Sequence, residues 1–171
     1  LADSPASMPQ WIAEINRLCA ELPPKVQATL LKHEAAGTTD DPAYQEGMMV
    51  FYGRHICRLD PWPDCLNRTL EKVLQSPEVY GTMWGASEFH VTGTLKDWDI
   101  TNRLGEIRAP TLVIGGRYDE ATPPLTESLH RGIPGSEWVI FENSAHMPHL
   151  EETERYLQVL TKFLDRVESH A

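Results

Sequence analysis

Thr111-Leu112-Val113-Ile114 and Glu137-Trp138-Val139-Ile140-Phe141 are short apolar runs rich in branched and aromatic side chains, and a helical pattern follows each. Runs of this length and texture read as strands buried on both faces. Pro123 to Arg131, closed by Gly132, is the first helix. Glu151 to about Val167 is the second, with Tyr156, Leu157, Leu160, Phe163, Leu164 and Val167 at its inward positions. Strand, helix, strand, helix is the order of an α/β unit, because parallel neighbours need a crossover between them. Gly115-Gly116 follows the first strand and reads as a turn. Two strands do not make a stable parallel sheet. Leu1-Ala2-Asp3 looks like the tail of a third strand whose beginning is absent. The expected architecture is therefore the C-terminal part of a larger α/β protein, which on its own would leave a sheet edge unpaired.

Before residue 105 the period is helical almost throughout. Met8 to Glu21 carries Trp11, Ile12, Ile15, Leu18 and Cys19 at near-helical spacing. Pro23-Pro24 ends that helix and starts another, which runs to about Ala36 with Val26, Leu30 and Leu31 on one side and Gly37 as its stop. Asp41 is placed to cap a third helix, from Ala43 to about Cys57. A fourth covers Cys65 to Leu74, and Ser76-Pro77-Glu78 caps a short fifth. The division expected is residues 1–5 as the end of a core strand, 6–104 as a helical cap, and 105–171 as the C-terminal part of an α/β core.

Composition narrows the function classes. With 41% hydrophobic residues, the chain can bury one sizeable core. Fifteen Lys and Arg against 25 Asp and Glu give a formal charge of −10, which repels phosphate backbones and anionic membranes and suits a cationic ligand better. Nucleic acid and membrane are thus not expected as partners, and no run approaches the ~20 apolar residues of a transmembrane helix. The first residues lack the basic and apolar regions of a signal peptide. Cys19, Cys57 and Cys65 are odd in number and show no zinc spacing, which fits reduced thiols in a cytoplasmic protein; one disulfide in an exported protein is the other reading.

Two loops carry the chemistry. Asp119 lies just past the first strand and His146 just past the second, where functional loops sit in open parallel sheets. Alone, Asp119 is equally a cap or turn residue, and His146 a loop histidine. As a pair on consecutive strand ends they can work together: the carboxylate fixes the imidazole tautomer and stabilises the imidazolium when His takes a proton. The nucleophile such a base needs is missing, since no G-x-S-x-G occurs. His146 and His149 share a His-x-x-His spacing, but Pro148 interrupts a helix there and no carboxylate set converges, so no metal is expected. Trp62, Trp84 and Trp98 fit either a pocket lining or core packing.

The segment from Ile107 through Gly115-Gly116-Arg117-Tyr118-Asp119-Glu120 to Pro123 resembles the acid-bearing strand and loop of α/β-hydrolases, and Asn143-Ser144-Ala145-His146-Met147-Pro148-His149-Leu150-Glu151 resembles their histidine loop. Glu88-Phe89-His90-Val91-Thr92-Gly93-Thr94-Leu95-Lys96-Asp97-Trp98-Asp99-Ile100-Thr101 is similar to the segment leading out of the helical cap in proline iminopeptidases and tricorn-interacting aminopeptidases. Leu1-Ala2-Asp3-Ser4-Pro5 resembles the strand after their nucleophile helix.

The resemblance implies the C-terminal part of an α/β-hydrolase fold with an all-helical cap insertion, and a serine peptidase that needs no cofactor. Asp119 and His146 would be two triad members. Glu88 and Glu120 would hold the free α-amino group of a peptide or amino-acid amide, with Tyr80 beside them. The serine and oxyanion hole would come from a missing N-terminal half, so the chain alone would be inactive. Other readings stay open: an amidase, esterase or epoxide hydrolase on the same frame, or a non-catalytic module that keeps the cap.

Overall fold

The computed structural model describes residues 1–169. Five helices come first: α1 (Met8–Ala20), α2 (Pro24–Ala36), α3 (Pro42–His55), α4 (Asp64–Gln75) and α5 (Glu78–Met83). Their boundaries follow local chemistry. Asp41 accepts from the Ala43 N–H at 2.9 Å, capping α3. Gly37 adopts φ 66°, and the Gly37 and Thr38 amides close back on the Glu34 and His33 carbonyls, which is how a glycine ends α2. Leu31 is 65% exposed and His33 takes the buried place beside Leu30, so the inward stripe of α2 is rotated from the one expected.

One feature of the helical part is not helical. Strands β1 (Gly85–Ser87) and β2 (His90–Val91) pair antiparallel through a bulge. Two or three residues are too few to show a period, so nothing in the pattern could announce this ribbon. Gly85, at φ 141°, and Gly93 let its two ends approach within a distance that a Cβ would occupy.

A 3-10 turn over Thr101–Glu106 leads into the sheet. Strand β3 (Leu112–Gly116) is followed by α6 (Pro123–Gly132), strand β4 (Glu137–Phe141), the short α7 (Pro148–Glu151) and α8 (Thr153–Glu168). β3 and β4 are parallel, with Leu112 opposite Glu137 and Gly116 opposite Phe141. On the other edge of β3, Ala2 forms a parallel bridge to Ile114, flanked by hydrogen bonds from Ile114 to the Leu1 carbonyl (2.8 Å) and from Asp3 to the Ile114 carbonyl (3.0 Å).

Three details differ from the sequence pattern, the first two because of a distant contact. β3 runs through Gly115-Gly116 instead of turning there. A Cβ on Gly116 would lie 2.0 Å from the Ala145 carbonyl oxygen and 2.6 Å from that of Ser144. The glycine serves close approach of the histidine loop. Gly132 belongs to α6, where a Cβ would strike Leu104. The last helix is broken at Glu152 into α7 and α8, and α8 turns Tyr156, Val159 and Phe163 to the sheet while Leu157 (56%) and Leu164 (45%) stay exposed.

The largest core joins the two parts. Trp11, Ile15, Tyr44 and Phe51 pack in one cluster with Ala121 and Leu125 at the start of α6. Glu14 on α1 accepts from the Thr122 hydroxyl at 2.8 Å across the same seam. The helices thus rest directly on the loop that carries Asp119 and Glu120.

Gly116→Ala tests how tightly the histidine loop is seated. Both clashing atoms are backbone, so the loop must move. The expected cost is about 1–3 kcal/mol, read as a lowered thermal midpoint. An unchanged midpoint would mean that the loop gives way freely.

Candidate active site

Asp119 and His146 meet. The loop after β3 and the loop after β4 are stitched by amide hydrogen bonds from Arg117 to the Phe141 carbonyl (2.9 Å) and from Tyr118 to the Ser144 carbonyl (3.0 Å). This brings His146 Nδ1 to 2.9 Å from Asp119 Oδ1, with the N–H donating to the carboxylate. The same oxygen accepts from the Ala121 N–H at 2.8 Å. Asp119 is 1% exposed, whereas the His146 side chain is 26% exposed. The buried acid thus orients a base whose edge reaches solvent, and Nε2 is left for a proton transfer.

Two glutamates set the histidine loop, and the sequence reading attached no role to either. Glu151 Oε2 accepts from the Ala145 amide (2.8 Å) and the Met147 amide (3.2 Å), and its Oε1 accepts from the Arg58 amide (2.8 Å). Glu152 Oε2 accepts from the Asn143 amide (3.0 Å) and the Ser144 hydroxyl (2.7 Å). The His146 amide itself donates to the Ile56 carbonyl at 3.0 Å, tying the loop to the end of α3. Adjacent acids at a helix start are an ordinary signal for dipole compensation, so this pinning role was legible only in coordinates.

Glu120 is fully buried, and neither carboxylate oxygen has a hydrogen-bonding partner among the described residues. Burial first, then the neighbouring Glu88 and Asp119 charges, push its pKa well above the carboxylate range, against a smaller opposite pull from His146. Glu88 is partly buried and likewise raised, by burial first, while Tyr80 and His146 draw it down. The Tyr80 hydroxyl is buried and faces the Glu88 carboxyl, and its ring stacks on Trp84 with centroids 6.5 Å apart.

The backbone of Glu88 is clamped. The Trp11 and Trp84 indoles both donate to its carbonyl at 3.2 Å, and its amide donates to the Tyr52 hydroxyl at 3.4 Å. Trp84 therefore packs against Trp11 (5.3 Å between centroids) and positions Glu88. Trp62 donates to the Cys57 carbonyl at 2.9 Å, and Trp98 is 38% exposed. His149 leaves the site and packs edge-on against Tyr156, 6.0 Å away. Cys19, Cys57 and Cys65 are all free thiols.

Burial opposes a charge on His146, but the Asp119, Glu120 and Asp3 carboxyl groups outweigh it and lift the imidazole to about 10. A raised histidine contributes stability that is complete below the ordinary value of 6.5 and is lost as pH rises through the folded value. An NMR titration of the His146 ring in the unliganded protein should therefore show a midpoint near 10, well above 6.5. A midpoint at or below 6.5 would contradict the Asp119 ion pair.

The arrangement resembles known proteins across nearly the whole chain. Proline iminopeptidase of Saccharolobus solfataricus is 40% identical over 164 residues, 96% of this chain and 53% of its own length. The crystal structure of VinJ superposes with a TM-score of 0.93 at 48% identity, covering 98% of this chain and 56% of that one. Proline iminopeptidase of Mycobacterium smegmatis gives 0.89 at 39% identity, over 99% of this chain and 57% of that one. No protein-family model matches. The chain spans about half the length of the curated relatives it matches. Proline iminopeptidases thus match nearly all of this chain, which corresponds to their C-terminal half, and its fold is that of the α/β-hydrolases.

Proposed function

We propose that this chain supplies the acid, the base and the amine-binding groups of a serine exopeptidase. The enzyme would remove an N-terminal residue, proline or a small apolar one, from peptides or amino-acid amides. The complete polypeptide is this chain together with the part of the fold that its relatives carry ahead of it. A serine from that part attacks the amide carbonyl. His146 takes the serine proton and returns it to the leaving amine, while Asp119 holds the imidazole in the required tautomer.

The observation that carries the proposal is Glu120. A fully buried carboxyl group with two orphaned oxygens, one residue from the triad acid, is costly unless a cation arrives. An α-ammonium brings three donors and the compensating charge. Glu88 and Tyr80 offer a second carboxylate and a hydroxyl on the opposite element. A free N-terminus is then required next to the scissile bond, which is how an exopeptidase rejects internal bonds. An esterase or a binding module has no use for that buried acid.

The test is turnover by the complete polypeptide of prolyl and alanyl 4-nitroanilides against the same compounds N-acetylated. Cleavage confined to the free amines supports the proposal. Equal cleavage of both moves the protein to a general esterase or amidase, and cleavage of neither moves it to a non-catalytic role.

A further inference from the structure

The hydrogen bonds of Asp119 are unevenly distributed. Its Oδ1 accepts from both His146 and Ala121, while its Oδ2 is buried with no partner. Asp3 shows the same feature, a buried Oδ1 without a partner. The two carboxyl groups lie within hydrogen-bonding reach of each other. Asp3 gets there through the backbone: its amide donates to the Ile114 carbonyl at 3.0 Å, and its φ of 50° turns the chain out of the strand at that residue. Aspartate is one of the few residues that tolerate that conformation.

We propose that Asp3 is a positioning residue for the acid–base pair, its protonated carboxyl donating to Asp119 Oδ2 so that Oδ1 stays turned to His146. Two ionised carboxylates facing each other away from water repel, so one of them must keep a proton. Asp119 accepts from an imidazole and from a backbone N–H. Asp3 has neither and is the one that stays neutral. Its burial, the Asp119 charge, the shared hydrogen bond and the more distant Glu151 raise its pKa to about 9, with His146 pulling the other way.

The inference rests on Asp119 and His146 working as a pair, so its test uses a substrate indifferent to the amine site. In the complete polypeptide, kcat for 4-nitrophenyl acetate is measured against pH for wild type, Asp3→Ala and Asp3→Asn. Asp3→Ala should lose about tenfold in kcat at neutral pH with KM unchanged, because Asp119 is no longer held in place. Asp3→Asn keeps a donor and cannot ionise. It should recover most of that loss, and its rate should reach its plateau at a lower pH than wild type, because the Asp3 charge helps to hold the His146 proton.

An Asp3→Ala rate within about twofold of wild type, or a rate midpoint on the pH axis that Asp3→Asn leaves unchanged, would overturn the role. If Asp3→Ala fails to fold, the Asp3→Asn pH profile decides alone. A wild type that turns over no substrate at all refutes the hydrolase reading instead. The Asp3 role is then decided by the His146 titration midpoint, which Asp3→Asn lowers if the two carboxyls face each other and leaves unchanged if they do not.

Discussion

His146→Ala in the complete polypeptide is expected to lower kcat for amide and ester substrates alike by on the order of 10⁴-fold, with little change in KM. The imidazole lies at hydrogen-bonding distance from the buried Asp119 carboxylate, and its exposed edge is where a serine proton would be taken. Removing it leaves the nucleophile protonated and the leaving amine without an acid. Asp119→Asn is expected to fall by a smaller factor, about 10²–10⁴, since the ring stays in place but loses its orienting charge. A His146→Ala protein within about tenfold of wild type would show that another group acts as the base.

Glu120→Gln carries the second large effect, and it is selective. The carboxyl has no partner inside the protein, so the change from acid to amide breaks no internal hydrogen bond. What it removes is a buried negative charge for an ammonium ligand. A hydrogen bond to a charged group contributes about 1.5–3 kcal/mol, so kcat/KM for free-amine substrates should drop about ten- to hundredfold. Neutral esters should be spared. The same variant should also lower the His146 midpoint, because Glu120 is one of the charges that raise it. Equal losses on amine and ester substrates would mean that Glu120 acts on the dyad itself and does not read the substrate. Steady-state kinetics on the paired substrates and the histidine titration separate these outcomes.

How much of this was legible before coordinates can be argued residue by residue. The parallel pair showed in the two branched apolar runs, but only β3 is buried along its whole length as that texture predicts; β4 is exposed at Glu137, half-buried through Ile140 and fully buried at Phe141 alone. Asp119 and His146 were legible because a sheet presents its functional loops at one rim, and both residues follow strands. Glu88, Glu120 and Tyr80 came only through resemblance; no spacing rule links residue 88 to residue 120.

What stayed hidden depends on contacts between distant segments. A Gly-Gly pair reads as a turn, yet Gly116 is a strand residue required by the Ala145 carbonyl pressing against it. Glu151 and Glu152 fall at the expected start of the last helix with nothing to single them out, yet they hold the backbone of the histidine loop. Asp3 reads as the last residue of a strand tail, and its link to Asp119 crosses more than a hundred positions. The inward face of α8 was misread at Leu157 and Leu164 because its apolar residues form two neighbouring stripes, and periodicity does not say which one a sheet covers.

The most direct measurement is covalent labelling of the complete polypeptide by a fluorophosphonate, read by mass spectrometry of its peptides. The reagent reacts only with a serine that a paired histidine has activated. The expected result is a single phosphonylated serine in the segment ahead of Leu1, lost in His146→Ala and slowed in Asp119→Asn. No adduct, or one that forms at the wild-type rate in His146→Ala, would contradict the assignment of Asp119 and His146 as the acid and base of a serine hydrolase.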